Sequence, residues 1–392
     1  MRENRICSLK IFVTGTRGIP GIPGGIEKHC EELFPRIAAK GHEVILCTRD
    51  FYVVHGTEEW RGVKLIHGYA PHKKSFEAIV HTFIAILKAY KYKPDIVHIH
   101  GIGPSLLTPF ARFLGYRVVV TNHGPDYDRQ KWGKTAQIVL RLGEKLGGIF
   151  ADEVIVVSSV IAGIIKERCH REANLIYNGV PLPLVSQSHN FLDQIGVEKK
   201  NYLLAVARFV PEKGLHDLIE AFTTSNTTLK LVIAGEADHE AEYSRKLRRM
   251  ASADPRIILT GYITGEPLNQ IYSHARMFVL PSYHEGLPIV LLEAMSYGLP
   301  TLVSDIPANK EVGLPDDRYF RCRDVRDLKE KLFQLLKKNL SMADSDKLRE
   351  HVEKKFNWDM IADRTIDVYR KALKPVKSAC SLASHGAGSI KK

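Results

Sequence analysis

The sequence contains few cysteines and no cysteine pair at the C-x-x-C spacing. Its six cysteines are scattered over 392 residues, which argues against both a zinc cage and a disulfide framework. No apolar run approaches the roughly 18 residues that a membrane-spanning helix needs, and the N-terminus lacks the small-residue cleavage site of a signal peptide. We therefore expect a cytoplasmic protein that is neither secreted nor integral to a membrane.

Signals of nucleic-acid recognition are also missing, although the chain is basic. The formal net charge is +12, and most of the excess lies in 61–149, where 14 basic residues face 5 acidic ones. Because this region lacks interleaved aromatic residues and a known recognition motif, we do not expect nucleic acid as a partner. The positive field could attract an anionic bilayer or phosphorylated small molecules, or it could be an ordinary solvated surface.

The order of the apolar runs predicts an α/β fold with two doubly wound, Rossmann-like domains. Short apolar runs alternate with longer amphipathic segments, as in strand–helix units wound on a parallel sheet. Segment 174–183 breaks this rhythm with Asn-Gly and two prolines, which predicts a hinge. Strand-like runs occupy 9–14, 43–48, 63–67, 95–100, 117–121 and 153–158 in the first half, and 202–207, 229–235, 256–261, 276–282 and 300–304 in the second.

The same pattern divides the chain into four parts. Residues 1–178 are predicted to form the N-terminal domain and residues 179–355 the C-terminal domain, which face each other across a cleft. A last helix at 356–374 is expected to pack back on the N-terminal domain. The tail at 375–392 is rich in small and polar residues and is predicted to be disordered.

A glycine-rich segment at 14–28 lies between a predicted strand and a predicted helix. Ligands of open parallel sheets bind beyond the carboxyl ends of the strands. Glycines there let the backbone approach a ligand, and a helix N-terminus offers free N–H groups to an anion. The segment does not match the G-x-G-x-x-G dinucleotide fingerprint, because Gly15 and Gly18 lie too far from Gly24 and Gly25.

Two further loops of the second half carry charged residues at suggestive spacings. Arg208 and Lys213, five residues apart after a strand, could clamp a diphosphate from two sides. Glu285 and Glu293, eight residues apart, bracket the first turns of a helix. Eight helical residues rise about 12 Å, which is comparable to the distance between the sugar and the ribose of a nucleotide-diphosphate sugar. Pro288 suits the first turn of that helix, and the amides around it could bind an anion.

Taken together, these segments resemble the retaining glycosyltransferases of the GT-B fold, in the family 4 group of mannosyl-, glucosyl- and rhamnosyltransferases. The resemblance covers nearly the whole chain. It is carried by GGIEKHCEELFPRIAAKGHEV at 24–44, TNHG at 121–124, YNGV at 177–180, ARFVPEKG at 207–214 and HEGLPIVLLE at 284–293.

The resemblance implies a role for each matching residue. Glu285 would contact the hydroxyls of the donor sugar, and Glu293 would bind the ribose. Arg208 and Lys213 would neutralise the diphosphate, and His123 would face the sugar from the N-terminal, acceptor-side domain. The remaining donor contacts would come from Gly24 and Gly25 beside the sugar phosphate, from Gly286, Leu287 and Pro288 at the helix start, and from Gly261, Tyr262 and Ile263 around the base.

The expected mechanism follows from the carboxylates that are missing. A double displacement would need a nucleophilic carboxylate at the anomeric carbon, and none is evident beside His123. The resemblance implies instead a same-face displacement in which the departing phosphate accepts the proton of the acceptor, while Arg208, Lys213 and the helix dipole stabilise its charge. No Asp-x-Asp motif lies where a metal would need it, so we expect no metal and no cofactor besides the nucleotide-sugar donor.

Two other functions remain open from the residues alone. A nicotinamide-dependent Rossmann oxidoreductase would need the dinucleotide fingerprint that the first loop lacks. A non-catalytic nucleotide-sugar-binding protein would share the loops but not the chemistry.

Segment 75–93 places apolar residues at helical spacing between lysines. It is either a core helix with a solvated rim or part of a basic face that rests on anionic lipid. The resemblance favours a glycan or a lipid-linked acceptor of cell-surface polysaccharide synthesis, and with it peripheral contact with the inner face of the membrane. The basic face would comprise Lys73, Lys74, Lys88, Lys91, Lys93, Arg112, Arg117, Arg129, Lys131 and Lys134.

Overall fold

The computed structural model describes residues 8–53, 56–71, 76–125, 127, 133–237, 240–338 and 342–374. The tail at 375–392, predicted to be disordered, lies outside the described residues. Within them, the chain forms two α/β domains around two mostly parallel sheets, so the predicted fold class is confirmed. No helix in the described ranges combines the length and the apolar character that a membrane crossing requires.

The N-terminal sheet has the strand order β3-β4-β2-β1-β5-β6-β7-β8, and only the β3–β4 pair is antiparallel. Its central strands are buried along their length, as expected for a parallel sheet covered by helices on both faces. Its strands are β1 (Lys10–Thr14), β2 (Glu43–Arg49), β3 (Glu59–Trp60), β4 (Val63–Gly68), β5 (Ile96–His100), β6 (Val118–Asn122), β7 (Glu153–Val156) and β8 (Asn174–Leu175). Its helices are α1 (Gly25–Ala39), α2 (Glu77–Tyr92), α3 (Thr108–Phe113), α4 (Lys134–Phe150) and α5 (Ser159–Cys169).

The C-terminal sheet is parallel throughout, with the order β11-β10-β9-β12-β13-β14. Its strands are β9 (Tyr202–Val206), β10 (Lys230–Ala234), β11 (Ile257–Gly261), β12 (Met277–Leu280), β13 (Thr301–Ser304) and β14 (Tyr319–Phe320). The helices of this half are α6 (Asn190–Gln194), α7 (Leu215–Thr223), α8 (Glu242–Ser252), α9 (Gly265–His274), α10 (Ile289–Ser296), α11 (Pro307–Lys310), α12 (Val325–Lys337), α13 (Met342–Lys355) and α14 (Trp358–Leu373).

The last helix, α14, returns to the N-terminal domain and packs against α1. Tyr369 on this helix shares a hydrogen bond of 2.8 Å with Nδ1 of His98 in β5. Lys40, just after α1, pairs with Asp363 at 2.7 Å. Both ends of the described chain therefore contribute to one domain.

Two local expectations differ from the observed helices, and a proline is present at each. The sequence pattern predicts one helix at about 104–114, but the structure divides this segment into a 3-10 turn, Pro104–Leu107, followed by α3. Pro109 has no N–H to continue a helix from the preceding turn, so a new helix begins around it. Pro288, expected in the first turn of α10, is instead the capping residue before it, in an extended conformation.

Several buried histidines stay neutral at physiological pH. Burial lowers the pKa of His98 to about 3 and those of His29 and His81 to about 4. The charged imidazolium is disfavoured away from water, and each ring has a hydrogen-bond partner that accommodates the neutral form.

We expect the free energy of unfolding to fall steeply as the pH drops from neutral toward 4. An unfolded histidine takes up a proton near pH 6.5, whereas in the folded chain His29 and His81 protonate at about 4 and His98 at about 3. The stability that they contribute is therefore complete above pH 6.5 and is lost as the pH falls through the folded-state pKa values. For each histidine that is protonated in the unfolded chain but not in the folded one, the free energy of unfolding falls by about 1.4 kcal/mol per pH unit.

Urea unfolding at a series of pH values measures this dependence. The variant His81→Gln should make it shallower, while His170→Asn at an exposed position should leave it unchanged. A free energy that stays constant between about pH 6.5 and pH 4 would contradict the prediction.

Candidate active site

A charged pair, Lys213 and Glu285, lies beyond the carboxyl ends of two neighbouring strands. Lys213 ends the 3-10 turn Pro211–Lys213 after β9, and Glu285 lies in the loop between β12 and α10. The Tyr283 N–H donates to the Glu212 carbonyl at 2.8 Å and ties the two loops together. Lys213 Nζ donates to Glu285 Oε1 at 2.5 Å, and the side chains are only 17% and 10% exposed.

Glu285 carries its charge at neutral pH. Burial acts to raise the pKa of Glu285, but the charge of Lys213 and its hydrogen bond outweigh that effect and hold the pKa below its usual value. An ammonium group has three N–H donors, and the bond to Glu285 uses one of them. The pair can therefore donate to a further anion through Lys213 and accept from a hydroxyl through the second oxygen of Glu285.

A small cavity between the domains collects several residues that the sequence predicted. Its volume is about 30 Å³, close to the share of one water molecule in the liquid, so a ligand of sugar size requires the cleft to open. The walls are formed by His123, Gly124, Arg208, Glu212, Lys213, His284, Glu285 and Gly286. The structure thus brings together His123, Arg208, Lys213 and Glu285.

Gly286 lies directly against the backbone of His123 and Gly124 in the other domain. A Cβ atom at this residue would lie 2.0 Å from the His123 carbonyl oxygen, a distance that no side chain tolerates. Leu287 is buried next to it, and Pro288 caps α10 by accepting from Leu291 N at 3.1 Å. A glycine is therefore required here for the cleft to close.

Asn178, in the predicted hinge, bridges the two domains. Its Nδ2 donates to the Leu287 carbonyl at 3.2 Å, and its Oδ1 lies 2.9 Å from Nδ1 of His29. A carbonyl only accepts, so the amide orientation is fixed and Oδ1 must accept from a protonated Nδ1 of His29. The sequence marked this asparagine only as part of a turn, because a local pattern cannot show that both of its ends are used.

His100 fixes the orientation of His123 from within the N-terminal domain. His100 Nδ1 and His123 Nε2 lie 2.9 Å apart, while His100 Nε2 is buried and has no partner among the described residues. A buried N–H without a partner is rarer than a buried acceptor without one, so we place the proton of His100 on Nδ1. His123 then accepts at Nε2 and carries its own proton on Nδ1, where it can donate to a ligand.

The nitrogens of His29, His100 and His123 lie within 4.8 Å of one another and are the described group that comes nearest to a metal-binding set. Burial lowers the pKa of His100 and His123 well below the usual value, and the neighbouring histidines add to the effect. Each of the three has one nitrogen engaged in a hydrogen bond. The arrangement is that of a neutral, hydrogen-bonded cluster beneath the cavity.

Glu293 lies on α10, after the loop that carries Glu285, and faces α1 across the cleft. It accepts from the Tyr272 hydroxyl at 3.1 Å. Burial raises its pKa, and the charge of Lys28 and the Tyr272 hydroxyl oppose the rise without cancelling it. Lys28, which the sequence analysis did not select, pairs with Glu32 at 2.9 Å and brings a positive charge from the first turn of α1 into the cleft.

The glycine-rich loop is held by a buried carboxylate. Glu27 Oε1 accepts from Arg17 N at 3.1 Å and from Arg17 Nε at 3.2 Å. Gly24 caps α1 with φ 148°, and a Cβ atom there would lie 2.0 Å from Glu27 Oε2. Gly25 begins α1 and is exposed. The loop thus places the N-terminus of α1 on the same side of the cleft as Lys28.

The loop after β11, predicted to contact a base, lies apart from the charged pair. Gly261 ends β11 with φ 73°, and Tyr262 is 50% exposed. Burial and the charge of Glu31 on α1 raise the pKa of Tyr262, which places this side chain at the cleft. Ile263 is half-buried. The structure does not bring these three residues into the small cavity with Glu285.

Comparison with known proteins matches the two halves of the chain to two family models. Residues 23–183 match the model described as Glycosyltransferase Family 4, and residues 189–357 match Glycosyl transferases group 1. An uncharacterized glycosyltransferase of Methanocaldococcus jannaschii is 26% identical, over 93% of this chain and 99% of that protein. A capsular polysaccharide biosynthesis glycosyltransferase of Staphylococcus aureus is 25% identical, over 74% of this chain and 80% of that protein.

A solved structure shares the two-domain fold. HepE of Anabaena, in complex with UDP-glucose, superposes with a TM-score of 0.77 at 17% identity, covering 92% of this chain and 99% of that one. At this identity the likeness concerns the fold.

We expect Glu293→Gln to raise the thermal unfolding temperature of the ligand-free protein and to weaken nucleoside diphosphate binding. Because the folded-state pKa of Glu293 is raised, its ionised form is less stable in the folded than in the unfolded chain at neutral pH, and an amide removes that penalty. Loss of an ionised acceptor should weaken binding about tenfold, or ~1.4 kcal/mol. Differential scanning fluorimetry and titration calorimetry with UDP and GDP measure the two effects.

Glu32→Gln is the matched control on the other side of Lys28. Burial acts to raise the pKa of Glu32, but Lys28 and Arg36 lower it overall, so this substitution should reduce the unfolding temperature. A lower unfolding temperature for Glu293→Gln, or unchanged affinity for both nucleotides, would contradict the assignment.

Proposed function

The chain belongs to the glycosyltransferases of the GT-B fold, and from this premise we propose that it is a retaining, metal-independent enzyme that uses a nucleotide-diphosphate sugar as donor. The observation that carries the proposal is the buried Lys213–Glu285 pair, which shares one cavity with Arg208 and His123. The oxidoreductase alternative is left without support by the family assignment.

The four residues bind two different parts of the donor, the diphosphate and the sugar. Lys213 and Arg208 bind the diphosphate, and the N-terminus of α10 adds its free N–H groups. Glu285, ionised and oriented by Lys213, accepts from hydroxyls of the donor sugar. His123 donates from Nδ1 to the same sugar, because its Nε2 is engaged with His100.

Catalysis follows from where charge grows during transfer. As the bond from the anomeric carbon to the phosphate breaks, negative charge accumulates on the leaving diphosphate, and fixed cations stabilise it in the transition state. The departing phosphate oxygen accepts the proton of the acceptor hydroxyl on the same face of the sugar. The new bond therefore forms with retention of configuration, and Arg208 and Lys213 supply the charge that a metal ion would otherwise supply.

We further propose that the acceptor is a glycan or a lipid-linked intermediate of cell-surface polysaccharide synthesis. The similar protein of Staphylococcus aureus is named for capsular polysaccharide biosynthesis.

The test is a transfer reaction in excess EDTA with the product's anomeric configuration read by NMR. A panel of nucleoside diphosphates in a thermal-shift assay first identifies the base, since a bound ligand raises stability by mass action. We expect the product to keep the configuration of the donor and the rate to be unaffected by the chelator. An inverted product would refute retention, and loss of activity that Mg²⁺ or Mn²⁺ restores would refute metal independence.

In the same assay, Lys213→Ala should lower the single-turnover rate about a hundredfold while changing donor affinity less, because its charge is needed most in the transition state. Lys199→Ala at an exposed position is the control and should change neither quantity. Equal losses of rate and affinity would mean that Lys213 binds the phosphate but does not stabilise the transition state.

The N-terminal domain also presents an apolar face, and we propose that this face rests on an anionic membrane. Helix α2 buries His81, Thr82, Ala85, Ile86 and Ala89 against the sheet. Its outer face exposes Phe76, Phe83, Leu87 and Tyr90, and α3 and α4 continue the surface with Phe113, Ile138 and Leu142. A stacked contact between Phe83 and Phe110, with ring centres 5.1 Å apart, joins α2 to α3.

The basic residues predicted for this face are only partly available. Arg112 and Arg117 both pair with Asp152, at 2.7 Å and 2.9 Å, so their charges are balanced locally. Lys73, Lys74, Arg129 and Lys131 lie outside the described residues. Lys91, Lys93 and Lys134 are exposed and remain to attract anionic lipid, at up to ~1 kcal/mol each.

Flotation with liposomes checks this proposal. The protein should float with vesicles containing phosphatidylglycerol, stay down with neutral phosphatidylcholine, and lose binding as salt screens the lysines. Phe113→Glu should abolish flotation, whereas Phe333→Glu, at another exposed phenylalanine that lies on α12, should not. Protein that remains at the bottom with anionic vesicles at low salt would favour a soluble acceptor.

A further inference from the structure

A second cavity lies in the C-terminal domain, beside the loops that carry the charged pair. Its volume is about 320 Å³, roughly ten times that of the cavity at Glu285. It is lined by His216, Asp217, Tyr243, Lys246, Tyr283 and Arg323. None of these residues takes part in the donor site described above.

The floor of this cavity is a network of hydrogen bonds among side chains of the C-terminal domain. The Tyr283 hydroxyl donates to Asp217 Oδ2 at 2.6 Å, because a carboxylate only accepts. Tyr283 therefore accepts from His216 Nε2 at 3.1 Å. His216 Nδ1 lies 3.0 Å from the Tyr243 hydroxyl. These hydrogen bonds hold His216 and both tyrosines in place before any ligand arrives.

Two cations border this fixed floor. Lys246 extends from α8, and Arg323 comes from the turn before α12 with its guanidinium 4.6 Å from the centre of the Tyr283 ring. Among the described residues neither one carries a salt bridge. Asp217 is the acid in the lining, and its carboxylate accepts from the Tyr283 hydroxyl and lies 3.4 Å from His216 Nε2. Glu212 acts on Tyr243 from the neighbouring turn but does not line the cavity.

The size and chemistry of the cavity define a class of ligand. A volume of about 320 Å³ is at the lower end of the ~300–1,000 Å³ typical of small-molecule sites, which suits a single sugar ring with a phosphate better than a whole nucleotide sugar. Lysine and arginine together bind a phosphate dianion. The tyrosine rings offer apolar faces, and their hydroxyls and His216 offer polar contacts for a sugar.

We propose that this cavity is a binding site for a monophosphorylated sugar, with the phosphate between Lys246 and Arg323 and the sugar ring against Tyr243 and Tyr283. The site is separate from the donor site but adjoins it through Tyr283, whose N–H is bonded to the Glu212 carbonyl one residue before Lys213. Because the cavity belongs to the C-terminal domain and not to the proposed membrane face, the ligand is the soluble sugar phosphate rather than a phosphate on a lipid.

Titration calorimetry on the full chain tests the proposal, with saturating UDP or GDP present to occupy the donor site. Glucose 6-phosphate is the probe, and glucose and inorganic phosphate are tested separately. We expect glucose 6-phosphate to bind at least about tenfold more tightly than either part alone. Lys246→Ala and Arg323→Gln should each weaken its binding about tenfold, which corresponds to ~1.4 kcal/mol.

Arg245→Ala, an exposed cation on the same helix α8, is the matched control and should leave binding unchanged. Thermal unfolding of each variant shows that the fold is retained. Absence of binding, equal binding of glucose, equal binding of inorganic phosphate, or binding that the two variants leave intact would each overturn the proposal. Vesicles carrying a phosphorylated lipid that compete with glucose 6-phosphate would assign the phosphate to a lipid instead and overturn the choice of a soluble ligand.

Discussion

The close approach of Gly286 to the backbone of His123 is the constraint on which the site depends. A single added carbon at Gly286 would overlap the His123 carbonyl oxygen, so the two domains meet backbone to backbone at this point. Asn178 stabilises the same contact, because its side chain accepts a hydrogen bond from His29 and donates one to the Leu287 carbonyl. The relative position of the histidine and of the Lys213–Glu285 pair is therefore set by packing and by two hydrogen bonds rather than by charge.

The two domains bring different electrostatic characters to the cleft. On the N-terminal side, His29 and His100 are buried and His123 is partly buried; all three are neutral, and each is oriented by a hydrogen bond. On the C-terminal side, Lys213 and Glu285 form an ion pair in a nearly enclosed space. A site built this way can orient a sugar through neutral donors while Arg208 and Lys213 supply positive charge where a diphosphate would lie.

The sequence was sufficient for the fold and for the residues that follow strands, because those features depend on local patterns. The alternation of apolar runs predicted both sheets, and the loops with Arg208, Lys213 and Glu285 could be recognised from spacing and family resemblance. The sequence could not reveal contacts between distant segments. Three such contacts were missed: Asn178 bonds to both domains, His100 supports His123, and Arg112 and Arg117 both pair with Asp152. In each case the residues are far apart along the chain, and no sequence pattern indicates that they meet.

The path of the chain between the domains has a mechanical consequence. The chain crosses once after β8 and again between α13 and α14, and the crossings are joined where Val180 N donates to the Phe356 carbonyl at 2.9 Å. A body held by a single linker can swivel in any direction, whereas one held at two adjacent points rotates about the axis through them. The cleft should therefore open and close by hinge rotation about a single axis, and each closure should return His123 to the same position opposite Glu285.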